Sequence, residues 1–291
     1  MPPTFLMTDP AHFDVHYQIN PWMRPDAWAA DPAASRAAAA AASATLAGAI
    51  RATGAKIEIV PAVEGLPDLV FPANGGVVLD GRVLVARFLH PERRGEEPVF
   101  RAAFEALRER GIVEEVHELP DGVFHEGAGD AIWDTDRGYF WCGYGQRSSR
   151  EAIATIARVF GQDTVALELA TPRFYHLDTC FCPLSGGNVL YYPQAFTAAS
   201  LAEIRARIPA AQRIEATDED AAAFCVNAVN LGSTIIMARA PAPLKRKLEA
   251  RGYRVVEVDL SPFILSGGAA YCMTLRLDRT SGEGRVLRAA E

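Results

Sequence analysis

Hydrophobic and polar positions along the chain fall into a unit that recurs. Residues 75–88, GGVVLDGRVLVARF, read as two apolar strand runs around the turn Asp80-Gly81, a dipeptide suited to a tight hairpin. A loop with arginine and proline follows, then the amphipathic PVFRAAFEALRERG (98–111) and the strand-like IVEEVHEL (112–119). The second unit runs GDAIWDTDRGYFWCGY (129–144), helical SREAIATIARVFG (149–161) and TVALELA (164–170). The third runs LDTCFCPLSGGNVLYYP (177–193), TAASLAEIRARI (197–208) and QRIEA (212–216). The fourth runs CVNAVNLGSTIIMA (225–238), APLKRKLEARG (242–252) and YRVVEVDL (253–260).

A fifth unit begins at GGAAYCMTLRLDR (267–279), which carries its strand pair but no helix. The missing helix and final strand are expected from the N-terminal ASRAAAAAASATLAGAIRATGAKIEIVPA (34–62). Each unit is hairpin, helix, strand, and a last unit completed by the N-terminus implies a closed ring. The expected fold is therefore α/β: one domain over residues 1–291, a five-fold pseudo-symmetric α/β propeller with helices outside. Hairpin starts far apart in sequence then meet at the axis.

Composition narrows the function. The chain is 49% hydrophobic and 22% charged, a balance expected of a globular protein with a sizeable core. A formal charge of −7 argues against nucleic acid or an anionic membrane as partner. The alanine-rich stretch 29–50 contains Asp31, Pro32 and Arg36 and reads as a packed helix rather than a membrane span. The N-terminus MPPTFLMTDP lacks the pattern of a secretory signal. Five cysteines with no disulfide spacing fit a reducing compartment, so a cytoplasmic location is expected.

The hairpin starts carry the polar residues: Asn74 in FPANGG, Glu126 and Asp130 in HEGAGD, His176 and Asp178 in FYHLDTCFC, and Cys272 in SGGAAYC. The fourth unit offers Asn227 and Asn230, the N-terminal HYQINPWM offers Asn20, and two loops offer Arg93, Arg94 and Arg147. His176 and Asp178, two apart, are expected on one face of a strand. The small residues of GGAA read as space kept clear in front of Cys272, where a structural thiol would be closely packed. A nucleophilic thiol needs a cationic neighbour, which His176 or a cationic substrate supplies. The rival reading, zinc held by His176, Asp178, Cys180 and Cys182 together, fails on reach, since residues spread along a strand cannot surround one ion; a partial site using His176 or Asp178 is the lesser alternative. No Walker loop or dinucleotide fingerprint is present; GAGD and GYGQR read as turns.

FLMTDPAHFDVHYQINPWM, FPANGGVV, PERRGE, HEGAGDAIW, FYHLDTCFCPL, NAVNLGSTIIM and SGGAAYCMTL resemble, in order and over nearly the whole chain, the guanidine-modifying or pentein superfamily. That superfamily includes arginine deiminases, dimethylarginine dimethylaminohydrolases, amidinotransferases and arginine dihydrolases, and it too implies the five-fold propeller. The resemblance implies Cys272 as nucleophile, His176 as general acid and base with Glu126 beside it, and Asp130 and Asp178 as carboxylates for the guanidinium. It implies Arg93 (or Arg94) and Arg147 as clamps for the substrate α-carboxylate, with Asn20 and Asn74 at dihydrolase positions. Cys180 departs from the pattern.

The activity so implied is hydrolysis of arginine through a Cys-thiouronium intermediate, by an arginine dihydrolase giving ornithine, carbon dioxide and two ammonia. Dimethylarginine dimethylaminohydrolase and arginine deiminase, both yielding citrulline, are the alternatives. A non-catalytic ligand-binding module of the same fold is the reading from another class. No metal or organic cofactor is implied. The partners are a small-molecule substrate, arginine or a methylated arginine, and a homo-oligomer is compatible; the longer dihydrolases' second half has no counterpart here.

Overall fold

Asp80 and Gly81 both take positive φ, 52° and 72°, as the hairpin turn at that dipeptide requires. The computed structural model describes residues 2–282. Strand β1 (Thr4–Thr8) and β2 (Lys56–Val60) lie at the N-terminus. The first repeat supplies β3 (Gly76–Leu79), β4 (Arg82–Val85) and β5 (Glu115–His117). The second supplies β6 (Ala131–Asp134), β7 (Tyr139–Tyr144) and β8 (Thr164–Glu168). The third gives β9 (Phe181–Pro183), β10 (Val189–Tyr191) and β11 (Arg213–Glu215). The fourth gives β12 (Val229–Leu231), β13 (Thr234–Ala238) and β14 (Arg254–Val258), and β15 (Leu275–Arg276) follows.

These strands make five three-stranded sheets, each an antiparallel pair plus a parallel strand reached through a helix. The closing sheet has the order β15-β1-β2. Its hairpin is thus divided between the two ends of the chain: Leu6 pairs with Leu275 and Phe5 with Arg276. This corrects the expectation that 267–279 carries its own strand pair. Only Leu275–Arg276 is strand there, and the N-terminus contributes β1 as well as the helix and β2.

The helix Pro32–Arg51 illustrates how the sequence sets an element. The Asp31 side chain accepts from the Ala34 amide, proline fills the first turn, and Ala39, Ser43, Leu46 and Ile50 form the buried stripe at spacings of three and four. The helix Glu96–Glu109 likewise buries Phe100, Phe104 and Leu107 against Val83 and Val85 of its own sheet. The helix Ala152–Phe160 wedges Ile156 and Phe160 between Leu84 and Phe140 of neighbouring sheets. Burial of side chains of this size contributes about 1.5–3 kcal/mol each. With helices packed outside and sheets abutting inside, β3, β6 and β13 are buried at every residue and read as continuous apolar runs.

The tight turns before the first strands hold the polar residues. Pro72–Asn74, Gly127–Gly129 and Leu177–Thr179 are single 3₁₀ turns, and Cys272 lies in the turn before β15. His176 and Asp178 therefore do not alternate on a strand, as the spacing suggested; a turn separates them and β9 begins only at Phe181. Among the described residues no helix is long and apolar enough to cross a membrane.

Candidate active site

Glu126, fully buried, is the hinge of the cluster. Its Oε2 lies 2.7 Å from His176 Nε2 and 3.0 Å from Arg147 Nη1, and its Oε1 accepts from the Leu89 amide at 3.2 Å. Burial alone would raise this carboxyl, but Arg147 and the His176 hydrogen bond outweigh it and hold Glu126 well below the usual carboxylate range. It is a fixed anion.

On the other side of the imidazole, His176 Nδ1 is 3.3 Å from Asn74 Nδ2. Asn74 Oδ1 accepts from Arg93 Nη1 at 2.9 Å, and a guanidinium only donates, so the amide must present its N–H to Nδ1. His176 is then the neutral tautomer protonated at Nε2, with its lone pair at Nδ1. Burial pushes its pKa down to about 4, against the pull of Glu126.

Cys272 is 2 % exposed and sits 3.1 Å from Asp178 Oδ2 and 3.1 Å from Asn227 Nδ2. Burial, then the Asp178 charge, push the thiol well above its ordinary value. Burial likewise raises Asp178 to about 7, against the hydrogen bond from Cys272. The thiol and the carboxyl thus share a proton in a dry site, and an arriving cation would release it. Asp178 Oδ1, buried, has no hydrogen-bond partner among the described residues. An orphaned carboxylate oxygen beside a thiol is the place for a cationic ligand.

Both carboxylate oxygens of Asp130, the other acid expected at the guanidinium, are occupied within the protein. Its Oδ2 accepts from the Ser148 hydroxyl at 2.6 Å and its Oδ1 from the Leu177 amide at 2.9 Å, tying the second hairpin start to the third. Burial drives its pKa well up, and no cation lies within salt-bridge distance among the described residues.

The two arginines differ. Arg93, 3 % exposed, spends both Nε and Nη2 on Glu96 at 2.8 Å, a second Nη2 N–H on the Asp68 carbonyl and one Nη1 N–H on Asn74. One of its five donors is left. Arg147 donates to Glu126 and to the Ile19 carbonyl at 2.9 Å, and stacks over Tyr175, leaving three donors. Arg94 is exposed and donates only to the Phe88 and Leu89 carbonyls, so it does not join the cluster. Asn20 caps its own turn through the Trp22 and Met23 amides and donates to the Ser266 carbonyl.

GGAA does not clear open space. A Cβ at Gly268 would overlap the Phe71 ring, one at Gly267 (φ +91°) would lie 2.8 Å from Tyr175 Oη, and Ala269 and Ala270 are fully buried. Small residues there let the Cys272 turn approach its neighbours closely. The cavity along the axis is lined by Val77, Ile132, Phe181, Val229 and Leu275, and none of the cluster's acids, nor His176 or Cys272, lines it. Among the described residues no three His, Cys, Asp or Glu side chains are grouped to hold a metal. Cys180 and Cys182 hydrogen-bond to backbone carbonyls instead.

Sequence reasoning left out Asp68, Glu96, Ser148 and Tyr175 and gave Asn227 no role. Glu96 had a legible signal: it follows the buried Arg93 by three residues at the start of a helix, and a buried arginine needs a counter-charge.

The family described as N,N dimethylarginine dimethylhydrolase, eukaryotic, matches residues 9–279. The bifunctional arginine dihydrolase/ornithine cyclodeaminase ArgZ of Synechocystis is 45% identical over 97% of this chain, which spans 40% of that protein's length. The N(G),N(G)-dimethylarginine dimethylaminohydrolase of Mycobacterium tuberculosis is 36% identical over 94% of this chain and 85% of its own. The solved N-terminal domain of ArgZ, an arginine dihydrolase bound to product, superposes with a TM-score of 0.90 at 43% identity, covering 97% of this chain and 99% of that one. Other structures of that domain include a Cys-to-Ser mutant bound to substrate.

Proposed function

The chain belongs to the N,N-dimethylarginine dimethylhydrolase family, within the guanidine-modifying superfamily, and on that premise we propose that it is an arginine dihydrolase. The observation that carries the reading is the orphaned Asp178 Oδ1 beside the Cys272 sulfur in a buried site. A guanidinium is planar and permanently charged, and one of its edges satisfies Asp178 while its carbon faces the thiol.

Cation binding lowers both the Asp178 and the Cys272 pKa, so the substrate itself generates the thiolate. His176, once the Asn74 N–H gives up Nδ1, takes the thiol proton there, and the ionised Glu126 stabilises the imidazolium. Sulfur adds to the guanidinium carbon, and His176 returns its proton to the departing ammonia, leaving a thiouronium. Neutral His176 then draws a proton from water as it attacks, the C–S bond breaks, and citrulline forms. A second cycle on the ureido carbon releases the second ammonia, then carbon dioxide and ornithine. Overall, arginine and two waters give ornithine, carbon dioxide and two ammonia.

Asn74, wedged between His176 and Arg93, supplies a polar contact for the second cycle, in which the substrate no longer brings a positive charge. Arg147, with three donors left, is the stronger clamp for the α-carboxylate, and Arg93 is chiefly the anchor of Asn74. Asp130 supports the guanidinium subsite from behind by fixing the Leu177 amide. We read residues 1–291 as one catalytic domain, of which 1 and 283–291 lie outside the described residues.

The second reading is dimethylarginine dimethylaminohydrolase, favoured by the match to most of the mycobacterial enzyme's length. Complete digestion of L-arginine, with ammonia, citrulline and ornithine quantified together, separates the two. Two ammonia with ornithine are expected. One ammonia with citrulline, or turnover of dimethylarginine alone, overturns the dihydrolase.

A further inference from the structure

Asn227 is fully buried in the turn before β12, and every hydrogen-bonding position of its amide is used. Oδ1 accepts from the Tyr271 amide at 3.1 Å and from the Cys272 amide at 3.2 Å. Nδ2 donates to the Asp178 carbonyl at 3.2 Å and to Cys272 Sγ at 3.1 Å. Two backbone N–H groups can be met only by the oxygen, and a carbonyl only by the NH₂, so the amide has one orientation. In it, an N–H is aimed at the sulfur.

We propose that Asn227 is the donor that stabilises the Cys272 sulfur as a thiolate and holds it in line for attack. The proposal rests on reading Cys272 as the nucleophile. A thiol sulfur is a weak acceptor and a thiolate a strong one, so this bond gains strength as the proton leaves. It does so again whenever the C–S bond breaks and thiolate returns. Asp178 faces the same sulfur from the third repeat and opposes ionisation; the Tyr175 and Tyr271 phenols are further titratable neighbours, and His176 is the base read as taking its proton. Asn227 is thus the fixed donor that remains once a guanidinium has neutralised Asp178. The same residue grips the backbone on both sides of the site, at 178 and at 271–272, so the distance between carboxylate and sulfur depends on it.

The test is the pH dependence of iodoacetamide alkylation at Cys272, mapped by peptide analysis and identified by protection with arginine. Asn227→Asp keeps an oxygen for the Tyr271 and Cys272 amides and replaces the N–H facing sulfur with an acceptor; Asn227→Ala removes both. Both variants are expected to alkylate at least about tenfold more slowly at pH 8, with the profile displaced upward by about one unit, the equivalent of a tenfold loss of thiolate. Wild-type rates and an unmoved profile in folded variants would reduce Asn227 to scaffolding. Should the variants not fold, wild-type protein labelled with [¹⁵N]asparagine answers the question, since the chain has five asparagines and five side-chain amides. The Asn227 Nδ2 protons, identified by contacts to the Tyr271 and Cys272 amides, are expected to move when Cys272 is alkylated, and unmoved signals overturn the proposal. These readouts use no turnover. A protein that leaves arginine untouched yet shows them refutes the substrate assignment, not Asn227.

Discussion

Asn74 and His176 meet at 3.3 Å, and because Arg93 already holds the amide oxygen, the amide nitrogen faces Nδ1. That contact agrees with the ionised Glu126, which accepts at Nε2 and so already fixes the histidine's tautomer. It ties the imidazole to the Arg93–Glu96 pair just as Glu126 ties it to Arg147, so His176 is held from both ring nitrogens.

Asn74→Ala removes the amide without touching Glu126 or Cys272. The first cycle, driven by the substrate's own charge, is expected to survive, whereas the second is expected to stall. Arginine should then yield one ammonia and accumulate citrulline. Two ammonia per arginine at an unchanged rate would show that Asn74 takes no part in the second cycle.

Arg147→Ala tests a change that the structure makes to the role expected from sequence. A pure carboxylate clamp would raise KM and leave kcat alone. Arg147 also donates to Glu126, so its loss exposes a buried carboxylate without a cation and weakens the stabilisation of the His176 imidazolium. We expect KM to rise and kcat to fall about 10²-fold, the order of one lost charge-assisted hydrogen bond. An effect on KM alone would return Arg147 to the clamp role.

Much of this was legible in the chain because the strands and helices are set locally. The Asp80-Gly81 turn and the spacing of Phe100, Phe104 and Leu107 specify their elements within a few residues. The pairing of β1 with β15 was not legible, since a two-residue contact between the chain ends leaves no periodicity in either segment. The site divides in the same way. Residue types at the hairpin starts announced Cys272, His176 and Glu126, but their partners are fixed by tertiary contacts. Asp130 bonding the Leu177 amide, and Asn227 rather than Asn230 facing the sulfur, depend on turns whose direction the spacing does not encode.

Gly268→Ala probes the packing around the nucleophile's turn. The added methyl has to displace the Phe71 ring, which is itself buried against Phe13 and Phe263. Overpacking of this kind costs about 1–3 kcal/mol, which corresponds to a fall in Tm of roughly 2–5 °C for a chain of this length. Adding Phe71→Leu should recover part of the loss. A Tm equal to the wild type's in the single variant would mean that the turn is open, as the sequence first suggested.

Asp178 sets the acid limb of the activity. Burial raises its folded-state pKa from an ordinary 3.8 to about 7. The folded protein therefore keeps a proton between those values that the unfolded chain has lost, and this contribution to stability is present below pH 3.8 and declines as pH rises to about 7. Guanidinium binding has the opposite sign. It requires the carboxylate, so below pH 7 arginine must expel the proton, and affinity is expected to fall about tenfold per unit of acidification. His176 is lowered to about 4 and stays neutral across this window, so it does not produce the same limb. Arginine binding to a Cys272→Ser variant, measured by calorimetry at pH 6 in two buffers of different ionisation enthalpy, should release close to one proton. Binding without proton release would assign the guanidinium to another carboxylate, and Asp178→Asn, expected to abolish binding, would then bind normally.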